Sequence, residues 1–296
     1  MAKVSVVIPV CNGERYLREA LDSVFAQTFG DYEVICVDDG STDESKAIIK
    51  GYGERVMLIQ QPNAGQGAAR NAGVRRGVSA YVAFLDQDDR WYPHKLQQQV
   101  AALEADPGAS LAHCNSDRMD LEGRLLQAGA TLVENKTALE SPLGRLTGEG
   151  LILPSAMMVR RVMFERVGGF DPMLRGFEDF DLSARLKQQG RFIFLEEPGM
   201  CYRLHAEGFG RTGGLHIIQS RSRFLDRMRV LYAGDRTKEA LLDMMQAECY
   251  SDWGIQELRA GSRANGRRML VRSLRCNPLK FRTYSRLFRS LWLPGR

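Results

Sequence analysis

The sequence predicts an α/β domain built on a mostly parallel sheet flanked by helices, followed by a helical extension. Three observations predict it. Apolar runs of strand length alternate with amphipathic helical stretches from Val4 to Leu85; each run ends in turn-forming or acidic residues; and from about Leu215 onward the periodicity is helical.

Val4 to Ile8 is a short apolar run that fits a buried parallel strand. Leu17, Ala20, Leu21, Val24 and Phe25 then share one face of a helix. Tyr32 to Val37 forms the second strand and leads into "DDGSTDES", where Ser41 and Glu44 have the spacing of a capping box opening a helix through Ile48 and Ile49. Val56 to Ile59 is the third strand, after which "QPNAGQGAARNAG" turns into a helix. Tyr81 to Leu85, the fourth, delivers "DQDD", with Asp86, Asp88 and Asp89 crowded at its end.

This alternating order implies right-handed crossovers, and ligands of such sheets bind outside the carboxyl ends of the strands. That edge carries Pro9 and Val10, Asp38 and Asp39, Asn63 and Gly65, and Asp86 to Asp89. Turn chemistry accounts for any one acidic pair, since Asp bonds its own backbone in turns. Recurrence at one edge favours a site, and a hard divalent cation is what clustered carboxylates bind.

Further on, Ser110 to Cys114 reads as a strand, "DLEGR" as a hairpin turn, and Thr131 to Gly150 as a polar variable loop. "RRVMFERVGGFDP" is a short helix stopped at Gly168 and Gly169. "GFEDFDLSARL" opens another with Glu178, Asp179 and Asp181 in its first turn, where the helix dipole alone favours carboxylates. Phe192 to Leu195 is a further strand, followed by "MCYRLH". The domain division falls at 1–214 and 215–296.

The six cysteines show no CxxC and read as reduced thiols, several in apolar strand contexts. Met1 leads straight into a strand, without a signal-like start, and no run approaches the roughly 20 apolar residues of a membrane span. A cytoplasmic protein is the expectation. The net charge of +5 conceals an asymmetry: Leu258 to Arg296 holds ten Arg, one Lys and no acid, so this tail carries +11 and the remainder −6. Within the tail, Phe281, Tyr284, Phe288, Leu291 and Trp292 share one helical side and Arg282, Arg286 and Arg289 another, the pattern of a helix lying in a membrane interface. The alternative is packing. The stretch from Glu248 to Pro278 resembles one helix-turn-helix unit of the tetratricopeptide kind, so the stripe can equally dock on the α/β domain or on another subunit of a homo-oligomer. No nucleic-acid motif accompanies the charge, and nucleic acid is not expected as a partner.

"VSVVIPVCNGERYLREALDSVFAQTFGDYEVICVDDGSTDES", "NAGQGAARNAG", "YVAFLDQDDRWYPHKL", "VGGFDP", "FEDFDL" and "YRLH" occur in an order that resembles glycosyltransferase family 2, over about residues 3 to 210. The resemblance implies the glycosyltransferase A fold, Rossmann-like with a mostly parallel central sheet, and transfer with inversion at the sugar. It places Asp38 and Asp39 against the nucleotide base, Asp39 on a uracil edge, with Pro9, Val10, Asn63, Arg70 and Gln87 completing the nucleotide site. Asp86 would lie by the ribose or an ion-bound water, and Asp88 would bind Mn²⁺ or Mg²⁺ across from the diphosphate. Asp89 matches a third acid and can equally be a turn residue. Asp179 matches the catalytic base, Glu178 would hold the acceptor, and His205 would approach the metal or diphosphate. Core packing is the alternative for His205, because "RTGG" departs from the family's Ser-rich continuation; helix packing is the alternative for Arg70. The implied partners are a nucleotide-sugar donor, with uridine diphosphate the commonest carrier, and a glycan or lipid-linked acceptor of cell-surface polysaccharide synthesis, met at the inner membrane face.

The chemistry asks for these residue types. Charge grows on the departing diphosphate, which a divalent ion stabilises as a Lewis acid, while the attacking hydroxyl must give its proton to a base. A dinucleotide-dependent oxidoreductase would show G-x-G-x-x-G where this chain has "PVCNGERYL". A sugar nucleotidyltransferase would want a Gly-rich, basic loop after the first strand. A non-catalytic nucleotide-sugar binding protein of the same fold is the alternative that the motifs leave open.

Overall fold

Every residue of strand β1 (Val4–Val10) is buried, because β1 lies inside the sheet with β2 (Tyr32–Asp38) and β4 (Tyr81–Phe84) paired parallel on either side. The computed structural model describes residues 2–131, 140–147, 152–205 and 214–292. Across the sheet the order is β3 (Val56–Gln60), β2, β1, β4, β8 (Met157–Arg160), β6 (Ala109–Met119), β9 (Arg191–Arg203) and β5 (Arg90–Trp91), with β7 (Leu125–Gln127) hairpinned onto β6. The first four pair in parallel, β8 is antiparallel to both its neighbours, and β6 and β9 are parallel. Parallel pairing thus holds the first four strands, as the alternating pattern predicts, and returns between β6 and β9, while β5 on β9 and β7 on β6 add two antiparallel pairs to those of β8.

The pleat sends alternate residues to opposite layers. Val4, Val6 and Ile8 join a core with Leu17, Leu21 and Val24 of α1 (Leu17–Phe25) and Leu96, Val100 and Leu103 of α4 (Lys95–Ala105). Val7 joins the other core, with Phe84, Phe164 of α6 (Arg161–Arg166), Phe170, and Leu182 and Leu186 of α7 (Glu178–Lys187). Helix α3 (Gln66–Arg76) reaches this second face through Gly73, where an added Cβ would lie 2.4 Å from Val7 Cγ1. Only glycine permits that approach.

Several expectations need correction. The capping box is absent: α2 (Ser45–Lys50) starts at Ser45 without a side-chain cap, and Ser41 Oγ accepts instead from the Asn12 N–H at 3.1 Å. Asn12 Oδ1 in turn accepts from the Thr42 N–H, so pairing between the loops after β1 and β2 outcompetes the local signal. Strands β6 and β9 run for 11 and 13 residues, well past the apolar cores that announce them. The loop expected at Thr131 to Gly150 contains a helix, α5 (Pro142–Thr147), and otherwise lies mostly outside the described residues. The turn "DLEGR" is a hairpin as expected, closed by the Asp120 N–H donating to the Arg124 carbonyl.

The chain divides into two compact units, the first comprising residues up to 172 with 178–208, the second residues 173–177 with the chain from 209 onward. The regular structure described in the second is helical: α8 (Leu215–Leu231), α9 (Arg236–Arg259), α10 (Arg263–Cys276) and α11 (Phe281–Trp292). Asp235 caps α9 by accepting from the Thr237 and Lys238 N–H groups. Gly254 and Gly266 bring α9 and α10 together, since a Cβ on either would meet the other's carbonyl at 2.9 Å. The inward face of α11 is small and polar: Thr283 and Ser290 are buried, Thr283 Oγ1 lies 3.1 Å from Ser251 Oγ, and Arg267 donates to the Ser290 carbonyl. Phe281 and Phe288 are 76% and 63% exposed, and Tyr284 is exposed with them. The apolar stripe of α11 thus faces outward; the side chains of Leu291 and Trp292 lie outside those described.

Candidate active site

At the carboxyl edge the loops after β1, β2, β3 and β4 hold one another. The Cys11 N–H donates to Gln87 Oε1 at 2.8 Å and Gln87 Nε2 donates back to the Cys11 carbonyl at 3.1 Å. Val10 is buried and its carbonyl accepts from the Asp39 N–H at 2.7 Å, while Pro9 pairs with Val37 in the sheet. Asp38 Oδ1 accepts from the Ser41 N–H. Asp39 holds the next loop: Oδ1 accepts from Gln61 Nε2 and the Ala64 N–H, Oδ2 from the Gly65 N–H, all within 2.8 Å, which leaves Oδ2 one acceptor position. Asn63 reaches Cys11 Sγ and borders a cleft of about 450 Å³ that Asn71 and Arg75 also line.

Arg70 is the centre of the site. Its side chain is 1% exposed, an expensive place for a charge without partners. Nη2 donates to Asp86 Oδ1 at 2.6 Å, and Nη1 stands 3.5 Å from Asp179 Oδ1. One buried cation therefore joins the acid after β4 to the acid opening α7, side chains 93 positions apart in sequence (179 less 86). Burial pushes the Asp179 carboxyl up to about 8, with Glu178 and Asp86 adding to the shift and Arg70 opposing it. Glu178 is buried beside it.

Asp88 Oδ2 lies 2.7 Å from His205 Nε2, a pairing across 117 residues. Burial and the neighbouring Asp86 push the Asp88 carboxyl up, against His205. Asp89 is different in kind. It is buried, takes the Ser155 hydroxyl at 2.6 Å and the Arg203 N–H at 3.1 Å, and burial with Asp88 and Asp86 nearby holds its carboxyl well above the usual range. The Asp89 N–H closes the turn to the Asp86 carbonyl, while its carboxylate is a buried tie to distant segments.

Arg203, within "YRLH", carries no sequence signal of its own. Its guanidinium is buried over the Tyr16 ring, donates to the carbonyls of Asp88, Asp120 and Leu121, and pairs with Glu19 at 2.6 Å. It fixes the backbone that presents Asp88. No motif could announce this, because its partners come from three separate segments.

Among the described residues no group of three or more His, Cys, Asp or Glu side chains converges as a metal cage. The donor set is the pair Asp88 and His205. A cation that also takes diphosphate oxygens needs only one or two protein carboxylates. The residues fit such an ion.

A parallel sheet whose carboxyl edge gathers Asp38, Asp39, Asp86 and Asp88 has the layout of a nucleotide-binding α/β protein. Residues 5–168 match the family model described as glycosyl transferase family 2, and the chain belongs to that family, with the glycosyltransferase A fold. An uncharacterized glycosyltransferase of Rickettsia prowazekii is 32% identical over 205 residues, 69% of this chain and 64% of the relative, so the chain spans less than two thirds of that relative's length. Staphylococcus aureus TarS 1-349 in complex with UDP-GlcNAc superposes with a TM-score of 0.71 at 18% identity, covering 97% of this chain and 89% of that one. The mannosyltransferase PcManGT from Pyrobaculum calidifontis, in complex with GDP-Man and Mn²⁺, superposes with a TM-score of 0.62 at 17% identity over 98% of this chain and 84% of that one.

Proposed function

We propose that the chain transfers a sugar from a nucleotide-diphosphate donor, UDP-linked by preference, to a hydroxyl of a glycan or lipid-linked acceptor in cell-surface polysaccharide synthesis, inverting the anomeric centre. The observation that carries this reading is the bridge Asp86–Arg70–Asp179. It couples a group at the nucleotide edge to a carboxylate poised for proton transfer near neutral pH. The acceptor oxygen attacks C1, its proton passes to Asp179, and the C1–O bond to the diphosphate breaks with the electron pair leaving on that oxygen. Glu178 holds the acceptor hydroxyl, Asp38, Asp39 and Asn63 hold the base, and Asp88 with His205 would hold Mn²⁺ or Mg²⁺. When bound, the ion stabilises the charge that develops on the diphosphate. One base and one displacement give inversion.

Incubation with a panel of UDP- and GDP-sugars and Mn²⁺, with nucleotide release as the readout, tests the reading. A UDP-sugar is expected to turn over, slowly to water and faster to the right acceptor. Tight binding of a donor with no turnover in any condition would mark a non-catalytic binding protein instead.

The membrane side of the proposal rests on α11. No described helix is long and apolar enough to cross a membrane, whereas exposed Phe281, Tyr284 and Phe288 beside Arg282 and Arg289 suit the surface of an anionic leaflet. At about 1 kcal/mol for each Arg near such a surface, the pair is worth roughly 30-fold in affinity. Arg282→Glu/Arg289→Glu is therefore expected to lose most cosedimentation with anionic vesicles at low salt. Unchanged cosedimentation of the variant would mean that α11 does not meet the membrane.

A further inference from the structure

The helical unit carries a half-open cavity of about 500 Å³ whose wall includes Arg221 of α8, Asp252 and Arg259 of α9, and Arg286 of α11. Three guanidinium groups against one carboxylate leave an excess of two positive charges. Asp252 Oδ2 accepts from Arg221 Nη2 at 2.9 Å. Arg286 Nη1 donates to Ser251 Oγ at 2.8 Å and stands 3.9 Å from Asp252 Oδ1. Arg221 Nε is buried and makes no hydrogen bond among the described residues. The rest of the wall is Phe177, Ile217, Ile218 and Ile255, with one polar side chain, Gln256, among them.

Arginines converging on a cavity select the oxygens of phosphate, because each planar fork can give two parallel N–H bonds. An excess of two charges matches a phosphate dianion. The isoleucine wall asks for something else, an apolar group on the same molecule, and the volume suits a ligand of a phosphate head and several carbons. Arg286 lies on the opposite side of α11 from Phe281 and Phe288, so the cavity and the outward stripe are separate features.

We propose that this cavity is a binding site for a phosphate monoester carrying an alkyl or prenyl chain, with Arg221, Arg259 and Arg286 on the phosphate and Ile218 and Ile255 on the chain. The site is built from the helical unit alone and does not depend on the proposed sugar transfer.

The test is titration calorimetry on the full chain, with saturating UDP and Mn²⁺ present so that the nucleotide edge is filled. The probes are octyl phosphate below its micellar concentration, inorganic phosphate, and octyl glucoside. Octyl phosphate is expected to bind best, inorganic phosphate weakly and octyl glucoside not at all. Loss of one charge-assisted contact in Arg259→Ala should weaken octyl phosphate about tenfold, and Arg259 is exposed at the end of α9, so this variant keeps its fold. Ile255→Glu, which sets a carboxylate inside the cavity, should abolish binding. Phosphate binding equal to octyl phosphate would remove the apolar half of the proposal. Octyl phosphate binding that is absent, or unchanged in Arg259→Ala, would overturn it whole.

Discussion

Asp179→Asn is expected to lower kcat by about 10²- to 10⁴-fold, the range that a positioned general base contributes, with donor affinity nearly unchanged. Asn keeps the shape of the side chain and still faces Arg70, but it cannot take the acceptor's proton. Burial and the acids Glu178 and Asp86 hold the Asp179 carboxyl near 8 despite Arg70, so the sign of the pH dependence follows. The protonated form is inactive as a base; activity in the free enzyme is lost as pH falls below about 8 and reaches a plateau above it. That limb of the kcat/KM profile should vanish in Asp179→Asn. A change confined to KM, with the limb intact, would mean that Asp179 binds substrate and does not move the proton.

Asp88→Ala should abolish metal-dependent donor binding and cut transfer by roughly 10²-fold or more, since the ion's charge stabilisation is worth several kcal/mol. The fold should survive. Asp88 is partly exposed, its carboxylate meets His205, and its carbonyl, which the variant retains, is the group that Arg203 holds. Asp89→Ala makes the contrasting control, because it strips a buried carboxylate from Ser155 and the Arg203 backbone and should cost stability instead. Equal donor binding by wild type and Asp88→Ala at saturating Mn²⁺ would contradict the assignment.

That contrast also shows what the sequence could and could not disclose. "DQDD" presents three equivalent acids after a strand, and the alternation of apolar runs places them at the ligand-binding edge. Their division of labour depends on Arg70, Ser155, Arg203 and His205, which arrive from distant segments. The parallel half of the sheet was legible because its strands are near-continuous apolar runs, those of β1 and β4 buried on both faces. The far half was not. In β6 the residues Asn115 to Arg118 are polar yet buried, satisfied by partners such as Glu196 and Tyr92, so hydropathy ends the strand too early. Strand β8 has only four residues and a tertiary reason to be a strand, its antiparallel place between β4 and β6. In the tail the stripe of α11 was legible from spacing, but only the packing of Thr283 and Ser290 shows that this stripe is the outward face.

The central claim is a single displacement with Asp179 as base, and the anomeric configuration of the product tests it most directly. With an α-linked UDP-sugar as donor, proton NMR of the first product, recorded before mutarotation, is expected to show the β-anomer. An α-linked product would require a second displacement or front-face attack, and would contradict the account.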